Sequence, residues 1–272
     1  MWRYRPVYSS AMSDADVSIR ECVSVEDFRQ CIELERAVWS DDDIGIMPIR
    51  LYMISKACNA PTIGAFDHTG KLVGFVHTML ALIGRQVAYH SHLAAVIEGL
   101  RHKDIGYRMK LKQREFAIEA GIPLIIWTFD PLQSRNAHLN INKLGVIIRR
   151  YEENYYGEGL STVFGADAPS DRIFAEWWVQ SPQVEAALAG IRPQVANAES
   201  VLIPEEINRV RAHSLDDYLS WRLRVRADFL RLLNRGLIAR GFARDASSGT
   251  SCYLFGGDER QFSFEAYRAS EA

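Results

Sequence analysis

The segment Leu100–Gly121, LRHKDIGYRMKLKQREFAIEAG, joins a polar turn to a predicted helix. Free backbone N–H groups at the start of a helix, together with the positive end of its dipole, bind anions such as phosphate. Glycine in such a turn lets the backbone approach the anion closely, and Gly106 is suited to this role. Asp104 occupies a position where a second glycine would be expected. The segment therefore predicts an anion-binding turn that carries one unfavourable charge.

The sequence before this turn predicts a strand, two helices and antiparallel strands. Ser24 has the position and chemistry of a helix cap, and His68-Thr69-Gly70 lies between two apolar runs, as in a hairpin. The predicted elements are the strand VSIREC, the helices SVEDFRQCIELERAVW and IRLYMISKAC, the hairpin TIGAFDHTGKLVGFVHTML and the strand VAYHSHLAAVI.

The sequence after the turn continues this alternation. PLIIWTFD is a short apolar run typical of a buried strand, and the next predicted helix is capped by Ser134 and ended by Gly145. Two more strands, VIIRRYEENYY and RIFAEWWV, follow. The order β-α-α-β-β-β-α-β-α-β-β predicts an α+β fold with helices packed on the sheet.

Three regions are expected along the chain. Residues 1–16 form an N-terminal tail, 17–180 the main domain, and 181–272 a connector with a small C-terminal α+β appendage. The appendage contains SWRLRVRADFLRLLNR, whose arginines alternate with leucines at helical spacing. We expect these arginines to form the solvated face of a packed helix.

Composition limits the class of protein. With 272 residues, 48% of them hydrophobic, the chain can bury a sizeable core. The net charge of -2 gives no overall positive field, so neither nucleic acid nor a membrane is expected as a partner. The four cysteines lack CxxC spacing, and the N-terminus lacks the apolar run of a signal peptide. We expect a cytoplasmic protein with reduced thiols.

Three motifs follow one another in the chain. They are IGYRMKLKQRE at Ile105–Glu115, WTFDPLQSRNA at Trp127–Ala137 and NYYGE at Asn154–Glu158. Together with the element order over residues 17–180, they resemble the GNAT superfamily of acyl-CoA-dependent N-acyltransferases, in particular a bacterial branch with IGYRxKLxQRE, WTFDPLxSRNA and NYYGE segments. The resemblance implies a GNAT-like mixed, mostly antiparallel sheet flanked by helices, and acetyl-CoA or another acyl-CoA as co-substrate.

The resemblance also implies a coenzyme site at the opening turn. The superfamily pattern Arg/Gln-x-x-Gly-x-Gly/Ala puts Asp104 at its first glycine, where a carboxylate repels pyrophosphate and nearby basic groups offset part of that repulsion. In the alternative interpretation, Asp104 caps the helix and pairs with Arg108. The implied coenzyme contacts, including strand N–H groups that polarise the thioester, are Ala94, Ala95, Val96, Arg101, His102, Lys103, Asp104, Ile105, Gly106, Tyr107, Arg108 and Asn136.

A second departure from the superfamily concerns the general acid. Many members have a tyrosine four residues before the glycine of the KLG segment, and that position is Ile141 here. Tyr155 and Tyr156 are the nearest hydroxyl-bearing substitutes in sequence. The alternative is that both are ordinary sheet and surface aromatics.

Two histidines are candidates for the base that removes a proton from the amine. His90 and His92 lie two residues apart, so both point to one face of their predicted strand. The pKa of histidine suits proton transfer near neutral pH. Alternatively, both are structural histidines. No carboxylate or cysteine stands at a spacing that would complete a metal site, so no metal is expected.

Arg135 is a candidate substrate-binding residue. It and Asn136 begin a helix after a predicted central strand, a place where α/β sheets often bind ligands. A guanidinium can clamp a substrate carboxylate. The alternatives are a salt bridge to Asp130 or a solvated side chain.

These features predict an acyl-CoA-dependent N-acyltransferase that acts on a small amine, with an amino acid as one candidate acceptor. Because of Asp104 and Ile141, a non-catalytic GNAT-like module that binds a ligand or a partner is the alternative. A third hypothesis assigns closure of the cleft or homodimer formation to the C-terminal segment.

Overall fold

The computed structural model describes residues 17–39, 45–100, 103–157, 168–245, 249–257 and 262–265. The predicted tail, residues 1–16, lies outside these ranges. The chain divides into two compact units, Met1–Gly121 and Ile122–Ala272.

The first unit is an antiparallel sheet covered by helices. Its elements are β1 (Ser18–Glu21), α1 (Val25–Trp39), α2 (Ile49–Ala57), β2 (Thr62–Phe66), β3 (Leu72–Ile83), β4 (Gln86–Val96) and α3 (Ile105–Glu119). The strands pair in the order β1-β2-β3-β4, each antiparallel to its neighbour. Phe28 of α1 and Tyr52 of α2 share a buried cluster with Phe75, whereas Met109 of α3 packs in a second cluster with Val76. Because successive strand residues face opposite sides, α1 and α2 cover one face of the sheet and α3 covers the other.

Local side-chain chemistry sets the start of α1 and the β2–β3 turn. Ser24 Oγ accepts a hydrogen bond from Asp27 N at 3.0 Å, and Asp27 Oδ2 accepts one from Ser24 N at 3.1 Å. This reciprocal capping box confirms the predicted helix start. In the turn, Asp67 Oδ1 accepts from Thr69 N, and Gly70 has a φ of 83°. The predicted hairpin is therefore confirmed.

The second unit is also built on antiparallel strands. Its elements are β5 (Leu124–Phe129), α4 (Ser134–Ala137), β6 (Ile147–Glu152), β7 (Arg172–Trp178), α5 (Pro182–Leu188), β8 (Glu199–Pro204), α6 (Ile207–His213), α7 (Leu215–Leu233), β9 (Ile238–Asp245) and β10 (Thr250–Gly256). The strand order is β5-β7-β6-β9-β10-β8. The α+β class, with a mostly antiparallel sheet flanked by helices, is confirmed. The predicted boundary at residue 180 stays a prediction, and Ile148 of β6 pairs across it with Ala239 of β9.

Two local predictions in this unit are wrong. Ser134 is the first residue of α4 rather than its cap, and its Oγ donates to Glu205 Oε2 at 2.8 Å. The arginines of α7 do not all lie on a solvated face, because the side chains of Arg222 and Arg226 are only 2% and 19% exposed. Their partners are the carboxylates of Asp130 and Asp171. Both errors have one cause. These side chains bind carboxylates that are distant in sequence, and the local sequence pattern does not indicate such contacts.

Candidate functional site

The turn before α3 is described from Lys103 onward, and Arg101 and His102 lie outside the described residues. Lys103 N donates to Leu100 O at 3.2 Å, and Arg108 N donates to Asp104 O at 2.9 Å, which closes the first helical turn. A Cβ built on Gly106 would meet no described heavy atom within 4 Å outside its own helix. The start of α3 therefore has open space beside the Gly106 backbone, as an approaching phosphate requires.

Asp104 has a backbone conformation that favours glycine. Its φ is 48° and its ψ is 13°, in the left-handed region. Asp104 holds the predicted N-cap position of α3, but its side chain makes no hydrogen bond to the backbone N–H groups that open this helix. Arg108 Nη2 donates to Val17 O at 2.7 Å. The aspartate therefore holds a backbone conformation that glycine adopts most readily, and it adds a negative charge at the start of α3.

Strand β4 carries a bulge opposite β3. Thr78 pairs with Ser91 and His77 pairs with Leu93, so His92 is the extra residue. Beyond the bulge, Ala94, Ala95 and Val96 pair with Val76, Phe75 and Gly74. A bulge re-aims the side chain and the backbone groups of the residues around it. The bulge had no signal in the sequence.

Three histidines gather beside this bulge. The His90 and His92 rings lie 5.9 Å apart, and the His77 ring of β3 lies 6.5 Å from that of His92. His77 is fully buried, with Nδ1 2.7 Å from Thr62 Oγ1 and Nε2 3.2 Å from Ser55 Oγ. The sequence pattern identified the His90–His92 pair but missed His77, which is hidden in an apolar strand.

The protonation of these rings follows from their surroundings. Burial and the neighbouring His92 lower the pKa of His77 to about 3. Burial, His92 and Lys110 lower the pKa of His90 to about 4. Burial lowers the pKa of His92 below its ordinary 6.5, although this side chain is the most exposed of the three. All three rings are therefore neutral at pH 7, and His92 is both neutral and accessible.

A buried polar circuit lies on the α3 side of the same bulge. Lys110 Nζ donates to Ser91 Oγ at 2.7 Å and to Gln113 Oε1 at 3.2 Å, and Gln113 Nε2 donates to Thr78 Oγ1 at 2.7 Å. All four residues are buried, and burial lowers the pKa of Lys110 to about 7. Sequence reasoning missed this circuit. The only sign of these contacts in the sequence was that Lys110 and Gln113 lie on the same face of α3 as the apolar residues Met109 and Ala117.

On the α1–α2 side, a buried glutamate faces the same region. Glu35 Oε1 accepts from Met47 N at 3.1 Å, and Glu35 Oε2 accepts from Tyr52 Oη at 3.4 Å. The Tyr52 ring lies 4.7 Å from that of His77. Burial raises the pKa of Glu35, so this carboxyl takes up a proton more readily than an exposed glutamate.

In the second unit, Arg135 and Asn136 are exposed at α4. Arg135 Nη2 lies 2.9 Å from Glu206 Oε1, so the predicted alternative of a bridge to Asp130 is wrong. Both partners are more than half exposed, and such a pair contributes at most about 1 kcal/mol. The Arg135 guanidinium thus exchanges partners at little cost.

Tyr155 and Tyr156 lie in the turn after β6, and Ile141 lies in the core. The tyrosine side chains are 42% and 39% exposed, with ring centroids 5.0 Å apart. Asp171 Oδ1 accepts from Asn154 N at 3.0 Å, and Ser170 Oγ accepts from Tyr156 N at 2.9 Å, so the turn is fixed at both ends. Ile141 is fully buried in a π-helical turn, His138–Lys143. Hydroxyl groups are therefore available at the NYYGE turn and not at residue 141.

Neither a metal-binding cluster nor a membrane-spanning helix is found among residues 17–39, 45–100, 103–157, 168–245, 249–257 and 262–265. Over those ranges, no three His, Cys, Asp or Glu side chains converge as metal ligands do. None of the helices built from these residues has both the length and the apolar character needed to cross a bilayer.

Comparison with known proteins gives matches among solved structures. No protein-family model and no curated protein sequence matches the chain. An N-acetyltransferase from Staphylococcus aureus Mu50 is 14% identical, with a TM-score of 0.48, over 60% of this chain and 99% of that chain. An acetyltransferase of the GNAT family from Streptococcus pneumoniae is 18% identical, with a TM-score of 0.46, over 59% and 97%. Arabidopsis thaliana Naa50, in complex with the bisubstrate analogue CoA-Ac-MVNAL, is 15% identical, with a TM-score of 0.46, over 59% and 97%.

Proposed function

We propose that the chain is an acyl-CoA-dependent N-acyltransferase of the GNAT superfamily that acts on a small amine. The observation that carries this proposal is His92, a neutral and solvent-accessible imidazole on the bulge of β4. A neutral histidine beside an amine accepts the proton that the amine must lose. The α3 turn in the same unit supplies helix N–H groups and open space at Gly106 for an anionic coenzyme.

The chemistry assigns one role to each group. The amine nitrogen attacks the thioester carbonyl carbon and forms a tetrahedral intermediate, while its proton passes to the free ring nitrogen of His92. Strand N–H groups near Ala94, Ala95 and Val96 stabilise the oxyanion. The carbon–sulfur bond then breaks, and Tyr155 or Tyr156 donates a proton to the departing thiolate. Proximity of the two bound substrates supplies much of the rate.

Arg135 suits an acceptor that carries a carboxylate, such as an amino acid. Its exposed pairing with Glu206 is weak, so a substrate carboxylate can replace Glu206 in a bidentate contact. The other proposed contacts with the coenzyme are Arg101, His102, Lys103, Ile105, Gly106, Tyr107, Arg108 and Asn136.

The first experiment is a thermal shift with acetyl-CoA, succinyl-CoA and free coenzyme A. A ligand at a hundred times its dissociation constant adds about 2.7 kcal/mol to the free energy of unfolding. We expect at least one of the three to stabilise the protein, and turnover of that acyl-CoA with a panel of amines then identifies the acceptor. Stabilisation without turnover would favour a non-catalytic binding module, which the charge of Asp104 and the buried Ile141 also favour. No stabilisation by any of the three would contradict coenzyme binding.

Replacement of Asp104 by glycine tests the turn itself. A carboxylate about 5 Å from a phosphate oxygen costs roughly 3 kcal/mol at an effective dielectric near 20, and screening reduces this. We therefore expect Asp104→Gly to tighten coenzyme A binding about tenfold, measured by titration calorimetry. The free energy of unfolding should change by less than about 1 kcal/mol, because relief of the left-handed backbone offsets the greater freedom of glycine in the unfolded chain.

Asn59→Gly is the matched control, since Asn59 also has a positive φ, of 57°, in the same unit. It should leave coenzyme affinity unchanged. Equal affinities of Asp104→Gly and the unmodified protein would remove Asp104 from the coenzyme site.

A further inference from the structure

Several buried side chains hold the bulge of β4 in place, and none of them takes part in the chemistry proposed above. Thr78 and Ser91 are cross-strand partners at one end of the bulge. Lys110 reaches Ser91 directly and reaches Thr78 through Gln113, so two residues of α3 bridge β3 and β4. At the other end, the partner of Leu93 is His77, whose ring nitrogens lie within hydrogen-bond distance of Thr62 and Ser55. Both ends of the bulge are thus fixed by polar contacts.

A buried amine is an expensive way to connect a helix to a sheet. Taking a charged group out of water costs several kcal/mol, and a well-packed apolar side chain of similar volume is often as stable or more so. The flanking buried positions of α3 are filled by Ile105, Met109 and Ala117. Burial lowers the pKa of Lys110 to about 7, because the charged form loses its hydration there. Packing alone therefore does not account for a lysine at this position.

We infer that Lys110 is a positioning residue, which fixes the bulge of β4 through Ser91 and Thr78 so that His92 and the adjacent backbone keep the geometry for acyl transfer. This inference rests on the proposed acyltransferase function and adds a residue to it. Lys110 touches neither substrate; it acts through the strand.

The groups around the bulge define what else responds to Lys110. On β4, burial, the neighbouring His92 and the charge of Lys110 lower the pKa of His90. Gln113 of α3 contacts both Lys110 and Thr78 of β3. The His92 ring lies near the rings of His90 and His77. A positive charge near His90 disfavours a second positive charge on that ring. Removing the amine should therefore raise the pKa of His90, in addition to loosening the strand.

The main variant is Lys110→Met, which keeps the length of the side chain, and the control is Lys112→Met. Lys112 lies on the same helix, but its side chain is 37% exposed and pairs with Glu115. Because misplacement of a catalytic group by an ångström costs up to about a hundredfold, we expect kcat of Lys110→Met to fall by about that factor. The KM for acyl-CoA should stay within about threefold, whereas the melting temperature should fall modestly because Ser91 Oγ and Gln113 Oε1 lose a buried donor. Ser91→Ala keeps the Lys110 amine and removes only its hydrogen bond to Ser91 Oγ, so we expect a smaller loss of kcat, about tenfold.

Hydrogen exchange of the Ser91, His92 and Leu93 amides, with histidine titration by NMR, tests the inference without turnover. In Lys110→Met these amides should exchange about tenfold faster, and the pKa of His90 should rise. If no acyl-CoA is turned over by the unmodified protein, the proposed function fails while these two readouts still decide the role of Lys110. Unchanged exchange in Lys110→Met, or kcat within roughly twofold of the unmodified protein, would overturn the inference. If Lys110→Met does not fold, exchange and kcat in Ser91→Ala decide it in the same way.

Discussion

Replacement of His92 by glutamine is expected to lower kcat/KM for acyl transfer several-hundredfold at pH 7, within the usual contribution of about 10² to 10⁴ from a general base. Glutamine keeps a polar side chain of similar size but cannot accept the proton of the amine. Binding of acyl-CoA should persist, because the proposed coenzyme contacts lie at α3 and along the strand. Steady-state kinetics and titration calorimetry on the same preparation separate the two effects.

The matched control is His90→Gln. Since the pKa of His90 is about 4, this ring is a weak base at neutral pH, and we expect less than about a tenfold loss from its replacement. The pH profile adds a second test. Burial lowers the pKa of His92 below 6.5, so activity should be full at pH 7 and fall as the pH drops through that lowered pKa. Equal activity of His92→Gln and the unmodified protein would remove His92 from the mechanism.

The fold was predictable where the signals are local. The start of α1 follows from Ser24 and Asp27, which satisfy each other's backbone N–H groups within one turn. The β2–β3 turn follows from Asp67 and Gly70 for the same reason. The predicted cap at Ser134 was wrong because the hydroxyl of Ser134 donates to Glu205, which lies 71 positions away in the sequence. Contacts at such separation leave no periodic pattern in the sequence.

The candidate site was predictable in part. Two-residue spacing was enough to place His90 and His92 beside each other, whereas the bulge that separates their environments depends on the register between β3 and β4. Lys110 lies within the motif Ile105–Glu115, but its lowered pKa and its buried contacts depend on its position against the sheet. The spacing of residues along a helix does not distinguish a buried lysine from one in solvent. Asp104 holds the N-cap position that its chemistry suggested, but its left-handed backbone and the missing side-chain cap bond could not be predicted from residue type alone.

The buried ion pair of the second unit provides the largest expected effect on stability. Arg222 Nη1 and Nη2 contact Asp130 Oδ1 and Oδ2 at 3.1 and 2.9 Å, in a bidentate pair whose side chains are 2% and 6% exposed. Arg222→Met would leave the Asp130 carboxylate buried without this partner. Breaking a buried pair from one side costs about 3–5 kcal/mol, so we expect a loss of that size in urea unfolding.

Arg224→Met is the control on the same helix, because Arg224 is exposed and stacks on Trp221, with its guanidinium carbon 3.7 Å from the ring centroid. It should cost less than about 1 kcal/mol. The double variant Arg222→Met with Asp130→Asn removes both charges and should recover part of the loss, because the penalty of the single variant comes mainly from the uncompensated carboxylate. The pair joins the end of β5 to α7, across the boundary predicted at residue 180. A loss below about 1 kcal/mol in Arg222→Met would mean that water or another cation reaches Asp130, and would contradict the expected contribution of this pair to stability.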